Sequence, residues 1–180
     1  MPEALLMTTV TPATDLASNS DSSSFEIYRD GGTTRDIRLT VHLVLAARRW
    51  RSLLDEQLRL IGQSAARMEA LAAIINSPSL SAQVDIAKRL RIEGPTMTRM
   101  LDTLEKDGLV ERLPDPSDRR SKLLRLTRAG ETALEEIFEI ADTMRTRLLE
   151  GLPADKVDEL DGFLEVLIGR LDAGLPSQAG

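Results

Sequence analysis

The segment from Ser81 to Thr127 constrains this chain more than any other. Ala82–Leu90 reads as a helix, with Ser81 expected as its N-cap and Asp85 in the first turn favouring the helix dipole. Glu93-Gly94-Pro95 breaks it. Proline suits the first position of a new helix, where its missing N–H would be unpaired in any case. That second helix runs to about Lys106, and Gly108 supplies the left-handed turn after it. Two short helices on a very short link make a helix-turn-helix. Leu109–Leu113 then reads as one strand and Lys122–Thr127 as another, around a turn rich in Pro, Asp and Ser that carries Arg119-Arg120. A hairpin directly after a helix-turn-helix is a wing.

At about 100° per residue, Met97, Met100, Leu101 and Leu104 of the second helix share one side. Arg99, Asp102 and Lys106 lie opposite, with Thr96, Thr98 and Thr103 on the flanks. One cation, hydroxyls and small residues near a helix N-terminus suit base edges and phosphates. A solvated face is the bland alternative, and the preceding helix and following wing argue against it. At the wing tip, an arginine can enter a narrow, electronegative minor groove. Asp118 would repel phosphate there, unless it pairs with Arg120 and sets its direction; a merely solvated charged turn is the alternative.

Charge is distributed in the same sense. The chain of 180 residues has net charge −6, yet residues 81–128 hold 11 Lys/Arg against 8 Asp/Glu, whereas residues 129–180 hold 4 against 12. A basic segment on an acidic scaffold fits a nucleic-acid binder. With no cysteine, disulfides, Cys-based zinc, iron–sulfur clusters and thiol sensing are excluded. A single histidine, His42, nearly excludes a His-rich metal site. No apolar run approaches the ~18 residues of a membrane span, and no basic residue precedes Arg29 as an export signal needs. A cytoplasmic location without membrane contact is therefore expected.

Around the lobe the chain reads as helical. Residues 1–34 are expected to be a flexible Ser-rich tail, although Phe25, Ile27 and Tyr28 form a short apolar patch and the tail could extend a subunit contact. Residues 35–80 hold a long helix to Ile61, stopped by Gly62, and a second helix after Ser64. Residues 129–175 hold two more: Thr127 caps the first, and the last starts at Pro153. In that last helix Val157, Leu160, Leu164, Leu167 and Leu171 are spaced 3, 4, 3, 4, the seam of a helix packed lengthwise on another. The expected fold is mainly α with a small β-hairpin: a winged helix-turn-helix lobe, residues 81–128, on a helical dimerisation scaffold.

Residues 81–130 resemble the core of the MarR (multiple antibiotic resistance regulator) family. The shared features are Ile86-Ala87, Pro95-Thr96, then Arg99, Asp102 and Leu104-Glu105, then Gly108 to Val110 with Arg112, the Asp118-Arg119-Arg120 wing motif, and Leu126-Thr127 with Gly130. Ile92-Glu93-Gly94-Pro95 and Ser121-Lys122 look most like the SlyA-type branch. The resemblance implies a homodimer on a near-palindromic double-stranded DNA operator, most often as a repressor. It places Pro95, Thr96, Thr98 and Arg99 in the major groove and Arg120, steered by Asp118, in the minor groove. Ser81, Gln83, Arg119 and Lys122 would lie near the backbone.

Without cysteine or a metal-ligand set, the sensing mode left to the family is a small, often aromatic, anion held between the dimerisation helices and the lobe. A small aromatic carboxylate or its CoA thioester is the expected ligand, with His42, Arg48, Arg49, Trp50, Arg51 and Arg67 as candidate contacts. The alternative for each is that Trp50 is core, the arginines are surface ion pairs and His42 is a satisfied helix residue. No nucleophile elbow, P-loop or dinucleotide fingerprint is present, so neither an enzyme nor a bound cofactor is expected. The competing class is a winged-helix module for protein or RNA contact without ligand response.

Overall fold

The computed structural model describes residues 23–77, 80–118 and 121–174. The chain divides into two compact units, residues 1–53 and 54–180. In the first, α1 (Ser24–Arg29) interrupts the stretch expected as tail. Its cause is local: the Glu26 N–H donates to Ser23 Oγ and the Ser23 N–H donates to the Glu26 carboxylate, a reciprocal capping box. The rest of the expected tail, residues 1–22, lies outside the described residues.

Helix α2 (Arg35–Leu58) starts where the Thr34 hydroxyl accepts the Ile37 N–H at 3.2 Å. No described residue of the first unit is buried, and Leu39, Val41, Val44 and Leu45 stand exposed. The last turns of α2 belong to the second unit, where Leu54 and Leu58 are buried. A 3-10 turn (Arg59–Ile61) and Gly62, at φ 71°, end the run as its composition suggests.

The second unit continues with α3 (Ala65–Ile75), β1 (Ser81–Ala82), α4 (Gln83–Leu90), α5 (Gly94–Lys106), β2 (Val110–Pro114), β3 (Lys122–Leu126), α6 (Arg128–Leu149) and α7 (Ala154–Ala173). Its core is one apolar cluster. Leu71, Ile86, Met97, Leu101, Leu104, Leu124 and Ile137 are almost fully buried, each stabilising the fold by about 1.5–3 kcal/mol.

Two details of the lobe depart from expectation. The hairpin is the major part of a three-stranded antiparallel sheet ordered β1-β3-β2. Ser81 pairs with Leu124 and Ala82 with Leu123, so Ser81 is a strand residue and not the N-cap of α4, whose cap position falls to Ala82 without a side-chain bond. Helix α4 ends at Leu90, as expected, and Arg91, at φ 54°, is the left-handed residue after it. Pro95 does sit in the first turn of α5, and Gly108, at φ 71°, turns the chain into β2.

Thr127 caps α6 by accepting the Gly130 N–H at 3.0 Å. Helix α7 starts after Pro153, and none of its residues is buried. Its expected seam is only partly covered: Val157, Leu164 and Leu167 are half-buried, while Leu160 and Leu171 are exposed. Phe163, Val166 and Ile168 are exposed as well, so the apolar surface of α7 is wider than a seam.

Candidate nucleic-acid interface

Helix α5 rests on Met97, Leu101 and Leu104, all at 0% exposure, which fixes the opposite side as the one facing solvent. That side carries Thr96, Thr98, Arg99, Asp102 and Thr103, with Pro95 in the first turn. Gln83, at the start of α4, donates from Nε2 to Thr98 Oγ1 at 2.7 Å, and Thr98 Oγ1 donates to the Gly94 carbonyl at 3.0 Å. Two residues expected in separate roles are thus one hydrogen-bonded unit. Ser81 is half-buried at the sheet edge, and Lys122 is exposed opposite Pro114 at the tip end of the wing strands. Asp118 is exposed. Arg119 and Arg120 lie outside the described residues.

The wing turn has an organiser that the sequence reading missed. The Asp115 carboxylate accepts from the Ser117 hydroxyl at 2.6 Å and the Ser117 N–H at 2.8 Å. The Ser121 N–H closes the loop on the Asp118 carbonyl at 2.9 Å. Asp-Pro-Ser is the signature of a turn in which an aspartate bonds the backbone two residues on, and that pattern was legible. The Ser117 hydroxyl, then its N–H, with smaller help from the Asp118 N–H and Ser121 hydroxyl, hold the Asp115 pKa below its ordinary 3.8. A lowered folded-state pKa means that the bonds are complete above pH 3.8 and are lost only as pH falls through the lowered value. The Ser117 amide resonance is therefore expected to titrate with a midpoint below 3.8. A midpoint above 3.8 would show that the turn does not hold this carboxylate.

Behind the exposed face, Arg112 of β2 reaches α5. Nη2 donates to Asp102 Oδ1 at 2.7 Å and Nη1 to Glu105 Oε2 at 2.5 Å, and the Arg112 side chain is only 18% exposed. Burial works to lower its pKa, but the bonds to Asp102 and Glu105 outweigh it and raise the pKa above the ordinary arginine value. An open cleft of about 650 Å3 runs between α4 and the wing, lined among others by Lys88, Arg91 and Lys122 and by Glu93 and Asp118. Its charges are mixed, and Arg91 is ion-paired to Asp172 of α7.

The candidate ligand contacts fall in different settings. His42, Arg48, Arg49 and Arg51 are exposed on α2, and Trp50 is half-buried there. Arg67 sits on α3, where Nε donates to Gln63 Oε1 at 2.9 Å and Nη1 to Asp107 Oδ2 at 2.7 Å. Its guanidinium ties α3 to the C-terminal cap of α5, so a carboxylate ligand there would have to displace Asp107. Among the described residues no group of three or more His, Asp or Glu could hold a metal ion, and no helix is long and apolar enough to cross a membrane.

The MarR family profile matches residues 64–122, which span α3, the helix-turn-helix and the wing as far as the start of β3. A cysteine-to-serine mutant of MarR from E. coli, complexed with operator DNA, is 30% identical at a TM-score of 0.67, covering 73% of this chain and 94% of that one. The transcriptional repressor CouR, bound to a 23-mer DNA duplex, is 31% identical at a TM-score of 0.67, covering 72% and 92%.

This chain belongs to the MarR family.

The MepR–DNA complex from S. aureus, 24% identical at a TM-score of 0.66 over 72% of this chain and 96% of that one, shares the fold. As a MarR-family protein the chain is a winged-helix, DNA-binding transcriptional regulator. Its helix α5 is the recognition helix of that fold.

Proposed function

We propose that this MarR-family protein is a homodimeric repressor that reads a near-palindromic operator and is released by a small aromatic carboxylate or its CoA thioester. The observation that carries the reading is the exposed face of α5: Thr98, pinned by Gln83, stands beside Arg99, with Lys122 at the tip end of the wing strands. Pro95, Thr96, Thr98 and Arg99 meet the major groove. Ser81, Gln83, Arg119 and Lys122 lie near phosphates. Arg120, directed by Asp118, enters the minor groove. The Ile92 to Pro95 lead-in and Ser121-Lys122 support a place near the SlyA-type branch. Repression is supported by the likeness to CouR, itself a repressor.

For the ligand, the support is chemical. Arg48, Arg49 and Arg51 flank Trp50 on α2. A guanidinium binds a carboxylate through a two-pronged charge-assisted bond, and an indole face accepts an aromatic ring. Arg67 would join them only by releasing Asp107, which it now holds together with Gln63.

Selection of duplexes from a random pool tests the reading. Bound duplexes should share two half-sites about one helical turn apart. Affinity should fall with salt at a log–log slope of about −0.9 per phosphate contacted. Arg99→Ala should weaken the selected duplex by about 1–3 kcal/mol, the range of a direct base contact. Asp118→Ala should also weaken it, although it removes a negative charge; tighter binding would refute the steering role. Aromatic carboxylates and their thioesters, titrated into the complex, should displace DNA. Equal binding of single-stranded, RNA and duplex competitors would favour a general interaction module instead.

A further inference from the structure

We propose that Arg112 is a positioning residue for sequence reading: it sets the roll of the recognition helix against the wing and keeps Asp102 from competing for Arg99. This inference rests on the DNA-reading role of α5. Met97, Leu101 and Leu104 seat the helix along a single apolar stripe. A helix on such a stripe is held in place but resists rotation about its axis only weakly. Arg112 adds a second attachment on the flank. Its planar guanidinium takes Asp102 and Glu105, three residues apart and therefore neighbours on one helix face, with one nitrogen each.

The fork is anchored on the other side as well. Arg112 lies in the middle of β2, in register with Leu124 of β3, which is itself buried. A displacement of the wing sheet is thus transmitted to the helix, and a fixed sheet fixes the helix roll. The magnitude matters. A roll of ~10° moves a side-chain tip ~6 Å from the helix axis by ~1 Å. Productive contacts need placement within about 0.5 Å. Thr98 and Arg99 would miss their base edges while phosphate contacts, made by longer and less directional side chains, survive.

The second part of the role is electrostatic. Asp102 lies three residues after Arg99, close enough on the helix surface to pair with it. With Asp102 Oδ1 accepting from Arg112, that carboxylate is engaged away from Arg99. Lysine could not do the same, since one ammonium cannot span both carboxylates in a fixed plane.

The test compares affinity for the duplex selected from a random pool with affinity for an unrelated duplex, in the full chain. Arg112→Gln should lower the selected-duplex affinity at least tenfold and change the unrelated-duplex affinity less than twofold. Arg112→Lys should lose part of the discrimination while keeping the charge, and it carries the comparison if the Gln variant does not fold. The triple variant Arg112→Gln, Asp102→Asn, Glu105→Gln removes the uncompensated carboxylates without restoring the fork, so discrimination should remain poor. Full recovery in the triple variant would reduce Arg112 to a neutralising charge and overturn the positioning role. An unchanged ratio in Arg112→Gln, or a parallel fall on both duplexes, would overturn it as well. Failure of the unaltered protein to prefer any duplex would instead count against the DNA-reading role.

Discussion

Gly130→Ala is expected to destabilise the winged unit by about 3–5 kcal/mol, the sum of strain from overpacking and of hydrogen bonds lost at the same junction. A Cβ at Gly130 would stand 2.0 Å from the Leu109 carbonyl oxygen and 2.9 Å from its carbonyl carbon. Neither atom can swing aside, because both are backbone. The same carbonyl accepts the Thr127 N–H at 3.0 Å, and Thr127 Oγ1 donates to the Gly108 carbonyl at 2.6 Å while accepting the Gly130 N–H. The start of α6 is therefore hooked onto the start of β2, and a single methyl group forces the two apart. Since whole domains are stable by only ~5–15 kcal/mol, the urea midpoint should drop by a large fraction. Equal midpoints for the two chains would mean that α6 does not begin against Leu109.

At micromolar concentration the protein should sediment as a dimer with no folded monomer. On α7 no side chain is buried, and Leu160, Phe163, Val166, Ile168 and Leu171 are each at least half exposed. Leu39 and Leu45 of α2 are exposed to a similar degree. Soluble monomers rarely leave apolar patches larger than a few hundred Å2, and covering each such side chain yields about 1.5–3 kcal/mol. A second copy, related by two-fold symmetry, would cover these helices and match a near-palindromic operator. Truncation before Pro153 should give aggregation or loss of folding. Lysine at both Leu160 and Leu171 should weaken the dimer and lower the helical content together. A well-folded monomer in sedimentation would refute the assembly.

Local chemistry made the lobe legible. Gly108 and Gly62 end helices because only glycine takes a positive φ without strain, Pro95 opens a helix because it has no N–H to satisfy, and Thr127 caps α6 through a bond three residues long. The buried stripe of α5 follows from 3.6-residue periodicity, and the wing from its turn composition. All of these are interactions within about four residues, where spacing alone says what meets what. Charge gave the basic segment but not its partners. Arg67 and Arg112 are both arginines among carboxylates, and nothing local shows that one is held by Asp107, 40 residues away, and the other by Asp102 and Glu105.

The same limit governs the remaining differences. Ser81 has good N-cap chemistry, yet its backbone is taken by Leu124, and sheet pairing over such a distance overrides a local preference. Gly130 could be recognised as glycine in a helix start, whereas the reason for it is the carbonyl of Leu109, which only the path of the chain brings there. Sequence therefore specified the elements, most of their caps and which face of α5 is left exposed, because these depend on neighbours along the chain. Packing specified how the recognition helix is held, which arginines are already engaged and where a side chain has no room, because those depend on residues that meet only after the chain has folded.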